Sequence, residues 1–145
     1  MTTIFEALRE DHDTQRRLAD LLCKTHGDSD GRQEIFERLK DALQRHAAAE
    51  ERHFYAPLMH HDQTQSLSRH SVAEHHELDE MLEQLSATEM SAPHWLTKAK
   101  ALHERLSHHL DEEEHGFFQV AGKVLSESQK TELASGYRQQ MDSSS

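Results

Sequence analysis

An offset of 63 residues runs through this 145-residue chain and constrains its fold more than any other feature. Adding 63 carries His12 to His75, His46 to His109, Glu50 to Glu113, Glu51 to Glu114, Phe54 to Phe117 and Tyr55 to Phe118. The same step carries Leu18 to Met81, Leu22 to Leu85, Leu39 to Leu102 and Leu43 to Leu106. Polar and apolar positions share one register, so the duplicated unit is a pair of secondary-structure elements. Two such pairs predict a pseudo-twofold arrangement.

The elements are helices. Phe5, Leu8, His12, Gln15, Leu18/Ala19 and Leu22 alternate steps of three and four over about residues 3–24, as one face of a helix requires. A second helix over about 32–59 carries Phe36, Leu39, Leu43, His46, Glu50, Phe54 and Leu58, with Pro57 expected to kink or end it. A third, over about 65–86, aligns Leu67, Ser71, His75, Leu78, Met81/Leu82 and Leu85. A fourth opens at Pro93 in the tolerated first turn and runs to about 124 through Trp95, Leu102, Leu106, His109, Glu113, Phe117 and Val120. Ser126 is placed to cap a short last helix, about 127–141, that packs Leu133 and Tyr137 on the rest.

Gly (5), Pro (2) and β-branched runs are scarce, which fits an all-α chain, and the length suits one domain. The expected architecture is an up-down-up-down antiparallel four-helix bundle over about 3–124, with a short C-terminal fifth helix.

Six positions on the buried stripes are polar: His12, His46, Glu50, His75, His109 and Glu113. Burying carboxylates without partners costs several kcal/mol, roughly, and a cation taking carboxylate oxygens and imidazole nitrogens offsets that cost. This donor set suits transition metals. His46 and Glu50, like His109 and Glu113, are one helical turn apart on one face. At the helical rise per residue, His12 and His46 lie roughly 18 and roughly 21 Å from the loop joining their helices, so antiparallel packing brings them nearly level. For His75 and His109 the depths are looser, roughly 16 and roughly 24 Å. Two metals bridged by Glu50 and Glu113, with two His from each hairpin, fit the count.

Of the other histidines, His26, His60, His61, His76, His94, His103 and His108 fall in loops or off the stripes and read as solvated. Asp111, Glu112 and Glu114 read as a hydrated helix face, and Tyr55 as a packing aromatic, because Phe118 stands at its repeat position, the alternative being a hydrogen-bond donor or redox-active residue beside the ligand turn. A rival constellation is the Glu-x-x-His spacing of Glu50/His53 and Glu112/His115, with Glu6, Glu10, Glu74 and Glu77 on the other helices. Its offset is 62, out of register with the apolar layers.

A formal charge of −11 without a basic cluster argues against nucleic acid and anionic membranes as partners. Cys23 is the single cysteine, and neither a signal-peptide pattern nor a transmembrane-length apolar run is present, so a reducing cytoplasm is expected.

With these residues in place, the sequence resembles the hemerythrin HHE cation-binding family over about residues 5–124. The resemblance lies in Glu10-Asp11-His12, His46-x-x-x-Glu50-Glu51 followed by Phe54-Tyr55-Ala56-Pro57, Glu74-His75, and His109-x-x-x-Glu113-Glu114 followed by Phe117-Phe118. It implies a four-helix bundle holding two iron ions (Fe2+/Fe3+) with an oxo or hydroxo bridge. It further implies O2 or another small oxidant as the partner, bound for oxygen or redox sensing, stress response or iron handling. On this reading the chain is a metal- and O2-binding protein rather than a dedicated enzyme. The alternatives are a di-iron enzyme acting on peroxide, nitric oxide or ferrous iron, and a structural or regulatory metal module, with zinc for instance. One departure matters. Oxygen-carrying members have a further His one turn before the helix-three ligand, where this chain has Ser71, with His70 and Glu74 nearby but off the expected angle. A water, a fourth-helix neighbour or an open position takes its place, which moves the expectation from oxygen carriage toward sensing or redox chemistry.

Overall fold

Each hairpin begins with a helix whose first turn is capped by its own sequence. In the computed structural model, which describes residues 2–143, Thr3 and Glu6 cap each other's backbone N–H groups at the start of α1 (Ile4–Leu22). Ser29 accepts from Arg32 N–H to open α2 (Asp30–Glu50). After a loop, α3 (Gln65–Ser86) and α4 (Pro93–Glu112) repeat the hairpin, and α5 (Glu127–Ser143) closes the chain. The described residues are all-helical, an up-down-up-down bundle plus a C-terminal helix, as the periodicity predicts. Boundaries differ from the expected ones by one or two residues, the ordinary fraying range.

The one local surprise occurs twice. Beyond Glu50 the chain continues through a π-helical turn, Glu51–Tyr55, into Ala56–Leu58, and beyond Glu112 through a second, Glu113–Phe117, into Phe118–Val124. In these turns Ala56 N–H donates to Glu51 C=O and Phe118 N–H to Glu113 C=O, one residue wider than α. The wider step turns both members of each aromatic pair inward. Phe54 and Tyr55 are fully buried and Phe117 and Phe118 nearly so. Pro57 stands one residue before the end of the Ala56–Leu58 helix, as expected. It has no N–H to donate and falls just after the π turn, where the hydrogen-bond register returns to α, and the helix closes at Leu58.

The core is split by a polar layer. Toward one end lie Ile4, Leu8, Phe54, Leu58, Phe117, Phe118 and Leu125, and toward the other Leu22, Phe36, Leu39, Leu82, Leu85, Trp95, Leu102 and Leu106. The far loops are tied by buried Arg32, which donates to Thr25 Oγ1 and C=O and to Met90 C=O at 2.6–2.9 Å and lies over the Trp95 ring. Helix α5 packs on α1, α2 and the first π turn. Gly136 allows this approach, since a Cβ there would lie 2.8 Å from His53 Nδ1.

Candidate metal centre

The polar layer holds all six stripe residues, and each is buried. Helix α1 brings His12, α2 brings His46 and Glu50, α3 brings His75, and α4 with its π turn brings His109 and Glu113. Their metal-facing atoms fall into two groups that share Glu50. One comprises His12, His46, Glu50 and Glu113, the other Glu50, His75 and His109, with the atoms of each within 4.8 Å of one another. Glu50 Oε1 lies 3.1 Å from His46 Nε2 and 3.2 Å from His75 Nε2. Glu113 reaches toward His12 Nε2 at 3.3 Å with Oε1 and toward His109 Nε2 at 3.8 Å with Oε2.

Five of these atoms, His12 Nε2, His46 Nε2, His109 Nε2, Glu50 Oε2 and Glu113 Oε1, are buried without a hydrogen-bond partner. Orphaned buried polar atoms cost about 1–3 kcal/mol each, so five pointing into one space mark a missing partner that accepts lone pairs. Four imidazoles and two carboxylates are the donors a pair of transition-metal ions takes, so the residues present fit such a group.

On the opposite ring nitrogens, each histidine is oriented by an acid. His12 Nδ1–H donates to Glu114 Oε2 at 2.6 Å, His75 Nδ1–H to Glu51 Oε2 at 3.1 Å, and His109 Nδ1–H to Glu74 Oε1 at 2.7 Å. A carboxylate can only accept, so Nδ1 carries a proton and Nε2 is the nitrogen whose lone pair would serve a cation once the ring is neutral. These partners obey the same offset of 63, Glu51 to Glu114 and Asp11 to Glu74. His46 is the exception in kind. Asp11 has one methylene fewer than Glu74, and its Oδ2 stops 3.6 Å short of His46 Nδ1. The Tyr137 hydroxyl of α5 fills that gap, accepting from His46 Nδ1–H at 2.5 Å and donating to Asp11.

Electrostatics follow from this packing. Burial opposes the charge on His46 and His75, but Glu50 and the flanking acids outweigh it and raise them to about 10 and about 9. Burial also opposes ionisation of Glu114, yet hydrogen bonds from His12 and Arg16 hold it at about 2. Between the two central acids, burial and the neighbouring Glu50 charge raise Glu113, while His46 and the hydrogen bonds around Glu50 overcome burial and keep Glu50 well below the ordinary carboxylate range.

Three expectations need correcting. Tyr55 is not only packing: its hydroxyl lies among the acids, 2.8 Å from Glu50 Oε1 and 3.3 Å from His75 Nε2, and in a short contact to Glu113 Oε2. The π turn places it there, five residues after Glu50, whereas Phe118 at the repeat position stacks on the His12 ring 6.1 Å away. Glu114 is not part of a hydrated face, since its side chain is 11% exposed and it holds His12. The clue was its place in the repeat. His61 and His103 are half-buried rather than solvated, His103 against Asp20. The rival spacing is not assembled: His53 Nε2 meets Gln140 on α5 at 2.8 Å and His115 is exposed. Ser71 is buried at 5% exposure. His70 lies outside, 2.7 Å from Glu112.

A cavity of about 380 Å³ opens between α2 and α3 and reaches His46, His75 and His109, with Leu43, Leu78 and Leu106 on its walls. No helix among the described residues is long and apolar enough to cross a membrane.

Comparison with known proteins agrees with this geometry. A crystal structure of a hemerythrin HHE cation-binding domain-containing protein from Mycobacterium kansasii superposes with a TM-score of 0.89 at 24% identity, covering 99% of this chain and 87% of that one. It bears on the fold alone. No curated protein sequence matches. The family model for the hemerythrin HHE cation-binding domain matches residues 3–121, and the chain belongs to that family of metal-binding helical domains.

Proposed function

We propose that this chain, as one domain in a reducing cytoplasm, holds two iron ions on His12, His46, Glu50, His75, His109 and Glu113. It would use them to bind O2 or related small oxidants for oxygen or redox sensing, stress response or iron handling. The observation that carries the reading is the set of five orphaned ligand atoms in two groups joined by Glu50. An iron pair held there, with an oxo or hydroxo bridge as the family resemblance implies, would supply up to two electrons from its ferrous state to a small oxidant.

The chain's own residues set the conditions. Glu51, Glu74, Glu114 and the Tyr137–Asp11 pair fix the imidazoles, which raises their basicity and their hold on a cation. The cavity between α2 and α3 admits a small molecule, and its leucine walls keep the surroundings of low polarity. Ser71 lies on a second cavity, about 210 Å³, that touches Glu113. That leaves room at the position where oxygen carriers have a histidine, favouring sensing or redox chemistry over carriage. A second reading, turnover of peroxide, nitric oxide or ferrous iron, draws on Tyr55, a buried O–H placed on both central carboxylates that can supply a proton.

Anaerobic loading with ferrous iron followed by air tests the proposal. About two irons per chain and a charge-transfer absorption are expected, both lost in His46→Ala and Glu113→Ala and both kept in His53→Ala and His115→Ala. Fewer than two irons in the unaltered protein would overturn it, and oxidant consumption over many cycles separates the enzyme from the binder.

A further inference from the structure

Gln15 departs from the repeat on the wall of the cavity that opens between α2 and α3. Adding 63 to its number gives Leu78, so the two halves place an amide and an isobutyl group at equivalent positions, one turn after His12 and one turn after His75. Both line the cavity that His46, His75 and His109 close from below. Leu78 continues the apolar wall with Leu43 and Leu106, whereas Gln15 interrupts it.

The amide is not there to serve the fold. Gln15 is 2% exposed, and its Nε2 is buried without a hydrogen-bond partner. Leaving such a donor unmatched is unfavourable by the standard of nearly all buried polar groups, and apolar side chains dominate the rest of its layer. An unmatched donor on the wall of a cavity that ends at three imidazoles is placed to meet something that enters the cavity.

We propose that Gln15 Nε2–H is the hydrogen-bond donor to a small exogenous ligand bound in this cavity beside His46, His75 and His109. The ligand class is a diatomic or triatomic species with a hydrogen-bond-accepting terminal atom, such as a reduced oxygen species or a small anion. Size and chemistry agree. Gln15 Nε2 is buried on the wall without a partner, whereas the other lining amide, Gln44, is exposed and donates to Asp79 at 3.4 Å across α2 and α3, so the Gln15 amide is the donor left to orient a ligand. The inference rests on the reading of the centre as an iron site and adds a residue that contacts the incoming ligand without holding the metal.

Azide, a linear triatomic anion, is the probe. The protein, Gln15→Leu and Gln15→Glu are loaded with iron, their iron content is measured, and azide is titrated against the absorbance band it produces. Gln15→Leu copies the residue of the other half, and in metal-free form it is expected to melt at or above the temperature of the unaltered protein. Iron content is expected to be equal. Azide should bind roughly 10-fold more weakly to Gln15→Leu, the scale of a hydrogen bond to a charged acceptor, and more weakly still to Gln15→Glu, whose carboxylate repels the anion. Equal iron and equal azide affinity in Gln15→Leu would overturn the role of Gln15 and leave the metal centre standing. A lowered melting temperature in metal-free Gln15→Leu would assign the amide to the fold and also overturn it. If the unaltered protein takes up no iron, the reading of the centre fails and this inference falls with it; if it takes up two irons and binds no azide, the centre stands and the role of Gln15 is overturned.

Discussion

Replacing Tyr137 by Phe removes one oxygen and leaves the ring, so its effect isolates the hydroxyl that joins α5 to His46. Tyr137 is 1% exposed, and its ring packs edge-on against His46 with centroids 5.8 Å apart, contacts that Phe retains. Two hydrogen bonds disappear, from His46 Nδ1–H and to Asp11. The two partners left behind differ. The Asp11 side chain is 33% exposed and can rehydrate, whereas that of His46 is 4% exposed and its next acceptor is 3.6 Å away. The cost is therefore that of one stranded buried donor, about 1–3 kcal/mol in the metal-free protein, read by urea unfolding. Loss of a partner that orients a metal-bound imidazole weakens metal affinity by about 10- to 100-fold, read by chelator competition. Because the hydroxyl touches His46 alone among the four histidines, Mössbauer spectra should show one iron environment altered and the other retained. Glu74→Gln should produce the complementary change through His109, to which Glu74 bonds directly. Wild-type affinity with two unaltered iron environments in Tyr137→Phe, or equal disturbance of both, would refute the assignment.

Tyr55→Phe is expected to destabilise the metal-free protein by about 1–3 kcal/mol in urea unfolding, since it removes the buried donor between Glu50 and Glu113, and to cost less once a cation neutralises those acids. Equal costs with and without iron would contradict this. Metal loading should release protons. His46 and His75, raised to about 10 and about 9, are protonated at neutral pH without metal and must be neutral to ligate, so about two protons per chain appear in a weakly buffered indicator assay, and affinity rises with pH. The signs for metal-free stability follow from the same shifts. The raised histidines contribute fully below their ordinary 6.5 and lose that contribution as pH rises through about 9 to 10. Glu114 contributes fully above its ordinary 4.5 and loses it as pH falls toward about 2. A melting temperature that climbs from pH 7 to 10 without metal would contradict the histidine contribution, and one that stays level from pH 4.5 down to about 2 would contradict that of Glu114.

Helical periodicity is local, set by which residues recur every three to four positions, and so the five helices, their order and the polar interruptions were legible along the chain. The offset of 63 went further, because a duplicated hairpin makes equivalent residues meet across a pseudo-twofold axis, and this is where all six polar stripe residues are found together. The acids behind them were half legible. Glu51/Glu114 and Asp11/Glu74 obey the same offset, but whether a carboxylate faces water or a neighbouring ring depends on helix rotation, which the sequence does not state.

Three features belong to the tertiary structure alone. The π turns run through the buried pairs Phe54-Tyr55 and Phe117-Phe118 or end beside them, and the wider turn places the Tyr55 hydroxyl on Glu50. The missing methylene of Asp11 became a site for Tyr137 only when α5 folded back along α1, 126 residues away in sequence. The isolation of Gln15 from every partner is likewise a fact of packing. A sequence names donors and acceptors, and only the assembled helices decide which of them meet and which are left facing a cavity.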